Sequence, residues 1–116
     1  MLTEEEYIET TAAAELQALN GLWAYSIPDY VKSNDFEFIQ QKTLFFWLFE
    51  RLLKEGRIKL AKHGQFLDGS VDEQIERFRL AFPKTEEEME DGTWFFDEDC
   101  PGGAVWVLED GTLEWT

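Results

Sequence analysis

The side chains that could carry out chemistry in this sequence are mainly carboxylates near the end of the chain. Asp97, Glu98 and Asp99 are consecutive, and Glu109 and Asp110 form a second acidic group. Carboxylates can bind cations, pair with lysine and arginine, or transfer protons. The first group lacks the ligand spacing and the distal glutamate of an EF-hand loop, so it does not predict a calcium site.

The groups that most enzymes use as nucleophiles or bases are scarce. The chain has one histidine, His63, in a predicted turn, and one cysteine, Cys100, whose acidic neighbour Asp99 should raise the pKa of its thiol. One histidine and one cysteine cannot form a zinc site within a single chain. The sequence contains no phosphate-binding loop and no nucleophile elbow. We therefore expect no catalytic residues, no metal and no cofactor.

The charge of the chain is strongly negative and unevenly distributed. It has 25 acidic and 10 basic residues, a net charge of −15. Residues 64–116 hold 15 of the acidic and 3 of the basic residues, against 10 and 7 in residues 1–63. Such a field repels nucleic acids and anionic membranes and attracts basic proteins. The composition therefore predicts a basic protein partner, and neither nucleic-acid nor membrane binding.

Large aromatic residues lie close to the acidic groups. Trp94 precedes the first group and Trp106 precedes the second. In protein interfaces, carboxylates steer association and a desolvated aromatic side chain supplies much of the affinity. We therefore predict a partner-binding site made of Asp97, Glu98, Asp99, Glu109, Asp110, Trp94 and Trp106. The alternative is an acidic, solvated face over a core in which the tryptophans are packing residues.

Helices are predicted in the first half of the chain. A capping box at Thr3 and Glu6 begins a helix that should end at Asn20-Gly21, with one apolar face: Ile8, Ala12, Leu16 and Leu19. A longer helix from Asn34 or Asp35 to Gly56 is apolar on all sides over residues 44–49, which is typical of a central helix. The connector between them carries aromatic residues, from Trp23 to Tyr30, that fill the core or form a surface patch.

Strands are predicted mainly in the second half. Residues 57–62 and 65–67 flank a turn at His63-Gly64, and residues 104–108 and 112–115 flank Glu109-Asp110-Gly111. A helix capped at Ser70 should end at Pro83, a short acidic helix should follow Thr85, and residues 94–96 form a candidate strand. This order predicts an α+β fold over residues 1–116, a single domain with three or four helices packed on a small antiparallel sheet and a C-terminal hairpin.

The start of the chain and its longest apolar run bear on location. Residues 1–6 are acidic where a signal peptide would be basic, and the apolar run from Thr43 to Phe49 is seven residues long. The sequence therefore predicts a cytoplasmic protein without a membrane span.

Two segments carry a family resemblance. CPGGAVW (Cys100 to Trp106) and the EDGxxEW segment (Glu109 to Trp115), with the stretch that starts near Phe45, resemble the bacterial family of unknown function DUF596. The resemblance covers about 60% of the chain. It implies an association with bacterial contact-dependent or polymorphic toxin systems, in which small acidic proteins act as immunity factors. It implies no activity and no catalytic residue.

The leading hypothesis is a non-enzymatic binding protein, specifically an immunity protein that occludes the active cleft of a basic toxin such as a nuclease. One alternative is a structural or regulatory interaction module that binds through exposed aromatic residues. A second is a small carboxylate-dependent hydrolase, although no feature selects one carboxylate pair among 25. The sequence leaves the identity of the partner and the oligomeric state open.

Overall fold

The helices dominate the first half of the chain, and the strands lie in the second half. The computed structural model describes residues 2–27 and 37–116. Its helices are α1 (Glu4–Ala14), α2 (Leu19–Ala24), α3 (Phe38–Lys54), α4 (Val71–Ala81) and α5 (Glu86–Met89). Its strands are β1 (Ile58–Lys62), β2 (Gln65–Phe66), β3 (Gly103–Val107) and β4 (Leu113–Trp115), and a 3₁₀ segment (Glu90–Phe96) follows α5. The predicted α+β fold is confirmed.

The four described strands form one antiparallel sheet in the order β2-β1-β3-β4. His63 and Gly64 both have positive φ values, 53° and 76°, in the two-residue turn between β1 and β2. This conformation matches the twist of the flanking strands. β1 pairs with β3, with Ile58 opposite Trp106, and so joins the two predicted hairpins into one sheet.

The core is built around α3, as the apolar run predicted. Phe45 and Phe49 are fully buried, and their rings stack at a centroid distance of 5.2 Å. Phe45 also contacts the rings of Trp23 and Phe95, at 5.8 Å and 5.4 Å. The helix is apolar on all sides here because α2, α4 and β1 pack around it. The aromatic rings therefore form one continuous core between the helices and the sheet.

The first helix differs from its prediction. The capping box of Thr3 and Glu6 is confirmed, but α1 ends at Ala14 and a second helix, α2, begins at Leu19. The buried face of α1 consists of Tyr7, Thr11 and Ala14, whereas the predicted core residues Ile8 and Leu16 are 59% and 52% exposed and Ala12 is also exposed. The break leaves the carbonyl of Gln17 free to accept a hydrogen bond from the indole of Trp106, at 2.8 Å. Gln17 therefore accepts a tertiary hydrogen bond from Trp106 in place of a hydrogen bond within a helix.

The start of the central helix and its connector also differ. α3 begins at Phe38, and its N-cap is Glu37, whose carboxylate and the side chain of Gln40 form a reciprocal capping box. The predicted caps Asn34 and Asp35, and Tyr30 of the connector, lie outside the described residues. Of the other connector aromatics, Trp23 is buried in the core and Tyr25 is 44% exposed.

The predicted strand at residues 94–96 is wrong, because these residues end the 3₁₀ segment. Trp94 and Phe95 are both buried, which an alternating strand with one solvent face does not allow. Both rings pack on Phe82, at centroid distances of 5.2 Å and 6.0 Å. Burying two consecutive aromatic side chains on the same cluster requires the tighter turn of the 3₁₀ segment.

Candidate functional site

The loop that contains Asp97, Glu98 and Asp99 joins the 3₁₀ segment to β3, and Glu98 points towards the turn between β1 and β2. The carboxylate of Glu98 lies 2.9 Å from Nε2 of His63 and 3.8 Å from Nζ of Lys62. The hydrogen bond from His63 and the charge of Lys62 lower the pKa of Glu98. Lys62 also donates to the backbone carbonyls of Glu98 and Cys100. Glu98 therefore fixes the loop to the sheet.

Asp97 and Asp99 line a groove with two acidic residues from another segment, Glu88 and Glu90. All four side chains are exposed, and the groove has a volume of about 730 Å³. We call it the acidic groove, and its lining residues are Leu80, Ala81, Phe82, Pro83, Lys84, Glu88, Glu90, Trp94, Asp97 and Asp99. Lys84 is the one basic residue in this lining.

Local sequence signals place the first wall of the groove. Pro83 follows α4, which ends at Ala81, and Thr85 caps α5 by accepting a hydrogen bond from the N–H of Glu88. Buried Met89 fixes α5 to the core, and Glu90 then adopts a left-handed conformation with φ 52°. The carboxylates of Glu88 and Glu90 are therefore held beside a fixed piece of backbone.

The second predicted acidic group lies elsewhere. Glu109 and Asp110 form the turn between β3 and β4, at the opposite end of β3 from the loop of residues 97–99. Because β3 has five residues, its first and last Cα atoms are separated by roughly 13 Å. Asp110 accepts a hydrogen bond from the N–H of Thr112 at 2.9 Å, and hydrogen bonding by the side chain and then by the backbone of Thr112 lowers the pKa of the Asp110 carboxyl. The structure thus divides the predicted site into two acidic regions.

The two tryptophans predicted as partner-binding residues belong to the core. Trp106 is 1% exposed, and its indole donates to Gln17, while Trp94 is 5% exposed and packs on Phe82 and Phe78. Trp94 contributes to the lining of the acidic groove, but both rings are buried, which favours the alternative that the two tryptophans are packing residues. Trp94 is buried against the rings of α4 and its C-cap, and Trp106 is buried where its indole reaches Gln17, just before α2. The acidic residues that neighbour them in the sequence do not reveal these contacts.

Besides Tyr25, three other large aromatic residues of the described ranges are exposed. Phe66 is 46%, Trp115 is 48% and Phe96 is 66% exposed. Our sequence analysis missed them as candidate binding residues, although Trp115 stands beside Glu114 in the segment that carries the family resemblance. The predicted pairing of the two strands of the terminal hairpin is a signal that points to Trp115. Val105 and Trp115 are cross-strand partners and therefore lie on one face of the sheet.

The environment of Cys100 disfavours nucleophilic chemistry at its thiol. Cys100 is 2% exposed, and burial raises the pKa of its thiol to about 11, so the thiolate nucleophile is strongly disfavoured. Within residues 2–27 and 37–116, no three His, Cys, Asp or Glu side chains are grouped so that they could hold a metal ion. In the same ranges, no helix has the length and apolar character needed to cross a membrane.

These observations define a class of protein: a small acidic α+β domain with an aromatic core and an acidic groove. The chain belongs to the DUF596 family, because the model of this protein family of unknown function matches residues 53–116. The matched part contains the whole described sheet and the acidic groove. The resemblance carried by the CPGGAVW and EDGxxEW segments is therefore confirmed at the level of the family.

A solved structure is similar to this one. It is that of an uncharacterized protein conserved in bacteria, from Neisseria meningitidis, and it superimposes with a TM-score of 0.76 at 34% sequence identity. The similarity covers 96% of this chain and 84% of that one. A comparison with curated proteins found no match.

Proposed function

We propose that this chain is a non-enzymatic binding protein whose acidic groove binds a basic surface of a partner protein. The observation that supports the proposal is that four carboxylates from two segments line one groove, Glu88 and Glu90 from one segment and Asp97 and Asp99 from the other. The second acidic region, at Glu109 and Asp110, extends the same sign of charge to the far end of the sheet. Lysine and arginine side chains are the groups that these carboxylates suit best.

The partner that we propose is a basic toxin domain, such as a nuclease, and the chain would act as its immunity protein. A nuclease cleft is positively charged because it binds phosphates, so an acidic protein surface can occupy it as a substrate mimic. Net charge of −15 also raises the rate of encounter with such a cleft. In this proposal, the groove covers the cleft and excludes nucleic acid from it.

The exposure of the groove carboxylates favours binding over hydrolysis. A general acid needs a carboxyl in an apolar enclosure, paired with a second carboxylate in a different environment. Glu88, Glu90, Asp97 and Asp99 are all solvent-exposed and thus share one kind of environment. The geometry supports a charge-pairing surface better than a pair of catalytic carboxylates.

A capture experiment tests the proposal. The tagged full chain is incubated with lysate of its source organism at low and at high salt, and retained proteins are identified by mass spectrometry. Binding through the groove predicts a basic toxin domain that is released by salt, and purified toxin should lose its activity at a one-to-one ratio with this chain. Retention of the same proteins at both salt concentrations would favour the interaction-module alternative, which relies on apolar contacts.

Matched charge reversals locate the surface. Asp97→Lys with Asp99→Lys should slow association with the captured partner and flatten its salt dependence. Glu5→Lys with Glu9→Lys makes the same change of charge on the exposed face of α1 and should have much less effect. Glu98 is left unchanged because its contacts with His63 and Lys62 hold the loop. Equal effects of the two double variants would show that only net charge matters and would overturn the assignment to the groove.

A further inference from the structure

A second groove, with a volume of about 510 Å³, lies along α3 and extends to α4. The α3 residues that line it are three or four positions apart, so they form one stripe of the helix. We call it the α3 groove, and its lining includes Ile39, Lys42, Phe46, Trp47 and Glu50 of α3 and Arg79 of α4. A cavity of this size is typical of sites that bind small molecules.

Two aromatic rings supply much of the apolar surface of the α3 groove. Phe46 is buried, and its ring centroid lies 5.0 Å from that of Phe82, so the core holds it in place. Trp47 is partly buried, and its ring packs edge-on against Tyr7 at a centroid distance of 5.9 Å. Ile39, the first residue of the stripe, is 62% exposed. A planar apolar ligand would therefore meet rings that are already fixed by their own contacts.

Two cations lie over rings of the same aromatic cluster. The guanidinium carbon of Arg79 is 4.4 Å from the ring centroid of Phe46, and Nζ of Lys42 is 5.3 Å from that of Phe82. Both distances are within the range of cation–π contacts. Such contacts orient a cation over the ring and leave its N–H groups able to donate hydrogen bonds to another group.

The charges of the α3 groove differ in sign from those of the whole chain. Glu50 is the one carboxylate in this described lining, and it accepts a hydrogen bond from Nη2 of Arg79. Because arginine has five N–H donors, this bond leaves others for a ligand. Lys42 has no ion-pair partner within residues 2–27 and 37–116. The lining therefore has a net positive charge in a chain with a net charge of −15.

Fixed rings beside a net positive charge suit one chemical class of ligand. We propose that the α3 groove binds a small organic anion with an aromatic body. The aromatic body packs on Phe46 and Trp47, while the carboxylate or sulfonate pairs with Lys42 and with the remaining N–H groups of Arg79. At physiological salt, charges more than about 8 Å away are largely screened, so the distant carboxylates of the chain do not exclude a small anion. This site is additional to the acidic groove and does not depend on it.

A matched pair of dyes tests the proposal on the full chain. The probe is anilinonaphthalene sulfonate (ANS), and the control is N-phenylnaphthylamine, which has the same rings without the sulfonate. Dye fluorescence gives the dissociation constants, and the indole N–H signals in the NMR spectrum locate the site. ANS should bind at one saturable site and should shift the indole signal of Trp47, assigned with Trp47→Phe, more than those of the four other tryptophans.

Charge variants test the roles of the groove residues. Lys42→Gln should weaken ANS binding about two- to five-fold and leave N-phenylnaphthylamine binding nearly unchanged, because only ANS loses an ion pair. Lys59→Gln makes the same change of charge on the sheet, where Lys59 lies over Phe66, and should leave ANS binding unchanged. Glu50→Gln removes the carboxylate that competes for Arg79 and should tighten ANS binding. Circular dichroism verifies each fold, and Glu50→Gln remains as a test if Lys42→Gln unfolds.

Several results would overturn the proposal. ANS that does not bind saturably, or that shifts the exposed Trp115 most, would show that the α3 groove is not its site. Equal weakening by Lys42→Gln and Lys59→Gln would reduce the effect to net charge. If acetylated, amidated hexaglutamate shifts Trp47 and ANS does not, the groove is a docking site for an acidic protein segment instead. None of these results bears on the acidic groove, whose charge reversals test the proposed function separately.

Discussion

The guanidinium carbon of Arg51 lies 3.6 Å from the ring centroid of Tyr7, and this contact joins α1 to the central helix. Nη2 of Arg51 also donates to both carboxylate oxygens of Glu4, and its Nε donates to Glu55. The phenol of Tyr7 donates to the same Glu55 at 2.8 Å. Because three acidic or aromatic partners share one arginine, α1 is held on α3 by charge as well as by apolar packing.

Replacing Tyr7 by phenylalanine should weaken this contact without removing the ring. Tyr7→Phe deletes the hydrogen bond to Glu55, so we expect the free energy of unfolding to fall by about 1 kcal/mol. Urea denaturation measures the change. Tyr25→Phe, at a tyrosine that is 44% exposed, is the matched control and should change stability little. A loss of the same size in both variants would contradict the assigned role of Tyr7.

The same tyrosine predicts a loss of stability in alkali. Burial, followed by the hydrogen bond and the charge of Glu55, raises the pKa of Tyr7 from 10.0 to about 12. A raised pKa in the folded state means that the contribution is complete below about pH 10 and disappears as the pH rises to about 12. The unfolding free energy of the wild type should therefore fall more steeply across this interval than that of Tyr7→Phe. Parallel curves would exclude Tyr7 as the cause.

The cap of α4 should make a measurable contribution to stability. Oγ of Ser70 accepts a hydrogen bond from the N–H of Glu73, and the carboxylate of Glu73 accepts one from the N–H of Ser70. Ser70→Ala should cost about 1 kcal/mol of unfolding free energy in urea denaturation. These bonds lower the pKa of Glu73, so its contribution is present above its unfolded pKa of 4.5 and is lost as the pH falls below that value. Glu9→Ala, at an exposed position inside α1 and not at a helix cap, serves as the control.

The thiol of Cys100 should be unreactive in the folded protein. Burial raises its pKa from 9.0 to about 11, and a shift of this size reduces the thiolate fraction about 100-fold near pH 8. Alkylation by iodoacetamide, followed by mass spectrometry, should therefore be at least that much slower in the native protein than in urea. Similar alkylation rates in the two conditions would show that the Cys100 thiol is accessible in the folded protein. That result would contradict its burial, since Cys100 is 2% exposed.

A tryptophan variant tests the assignment of Trp106 to the core. Trp106→Phe leaves a ring in place but removes the indole N–H that donates to Gln17, so unfolding free energy should fall by about 1–3 kcal/mol. Trp115→Phe, at a tryptophan that is 48% exposed, should change stability by less than about 0.5 kcal/mol. If Trp106 were an exposed partner-binding residue, Trp106→Phe would lower the stability no more than Trp115→Phe does. Thermal denaturation of both variants gives the comparison.

Local chemistry explains which features could be predicted from the sequence. The caps at Thr3 and Ser70 depend on hydrogen bonds between residues three positions apart, and both form as predicted. The turn at His63-Gly64 and the terminal hairpin depend equally on adjacent residues that tolerate positive φ. The central position of α3 follows from its apolar run, because a helix that is apolar on all sides must be covered on all sides.

Distant contacts decided the features that the sequence analysis missed. Glu50 and Lys54 are spaced for pairing along α3, but Glu50 pairs with Arg79 and Lys54 lies 3.8 Å from Asp72, since α4 packs beside them. The acidic groups at Asp97 and Asp110 are close in sequence, yet β3 runs between them and carries them to opposite ends of the sheet.

The sequence by itself therefore determined the α+β class, the helix caps, the hairpin turns and the negative charge of the last 53 residues. Only the tertiary structure decided which aromatic residues are buried, since burial of Trp106 and exposure of Trp115 depend on which face of the sheet meets α3. It also brought Glu88 and Glu90 to Asp97 and Asp99. Composition fixes the amount of charge and apolar surface, but strand pairing and helix packing fix where each of them lies.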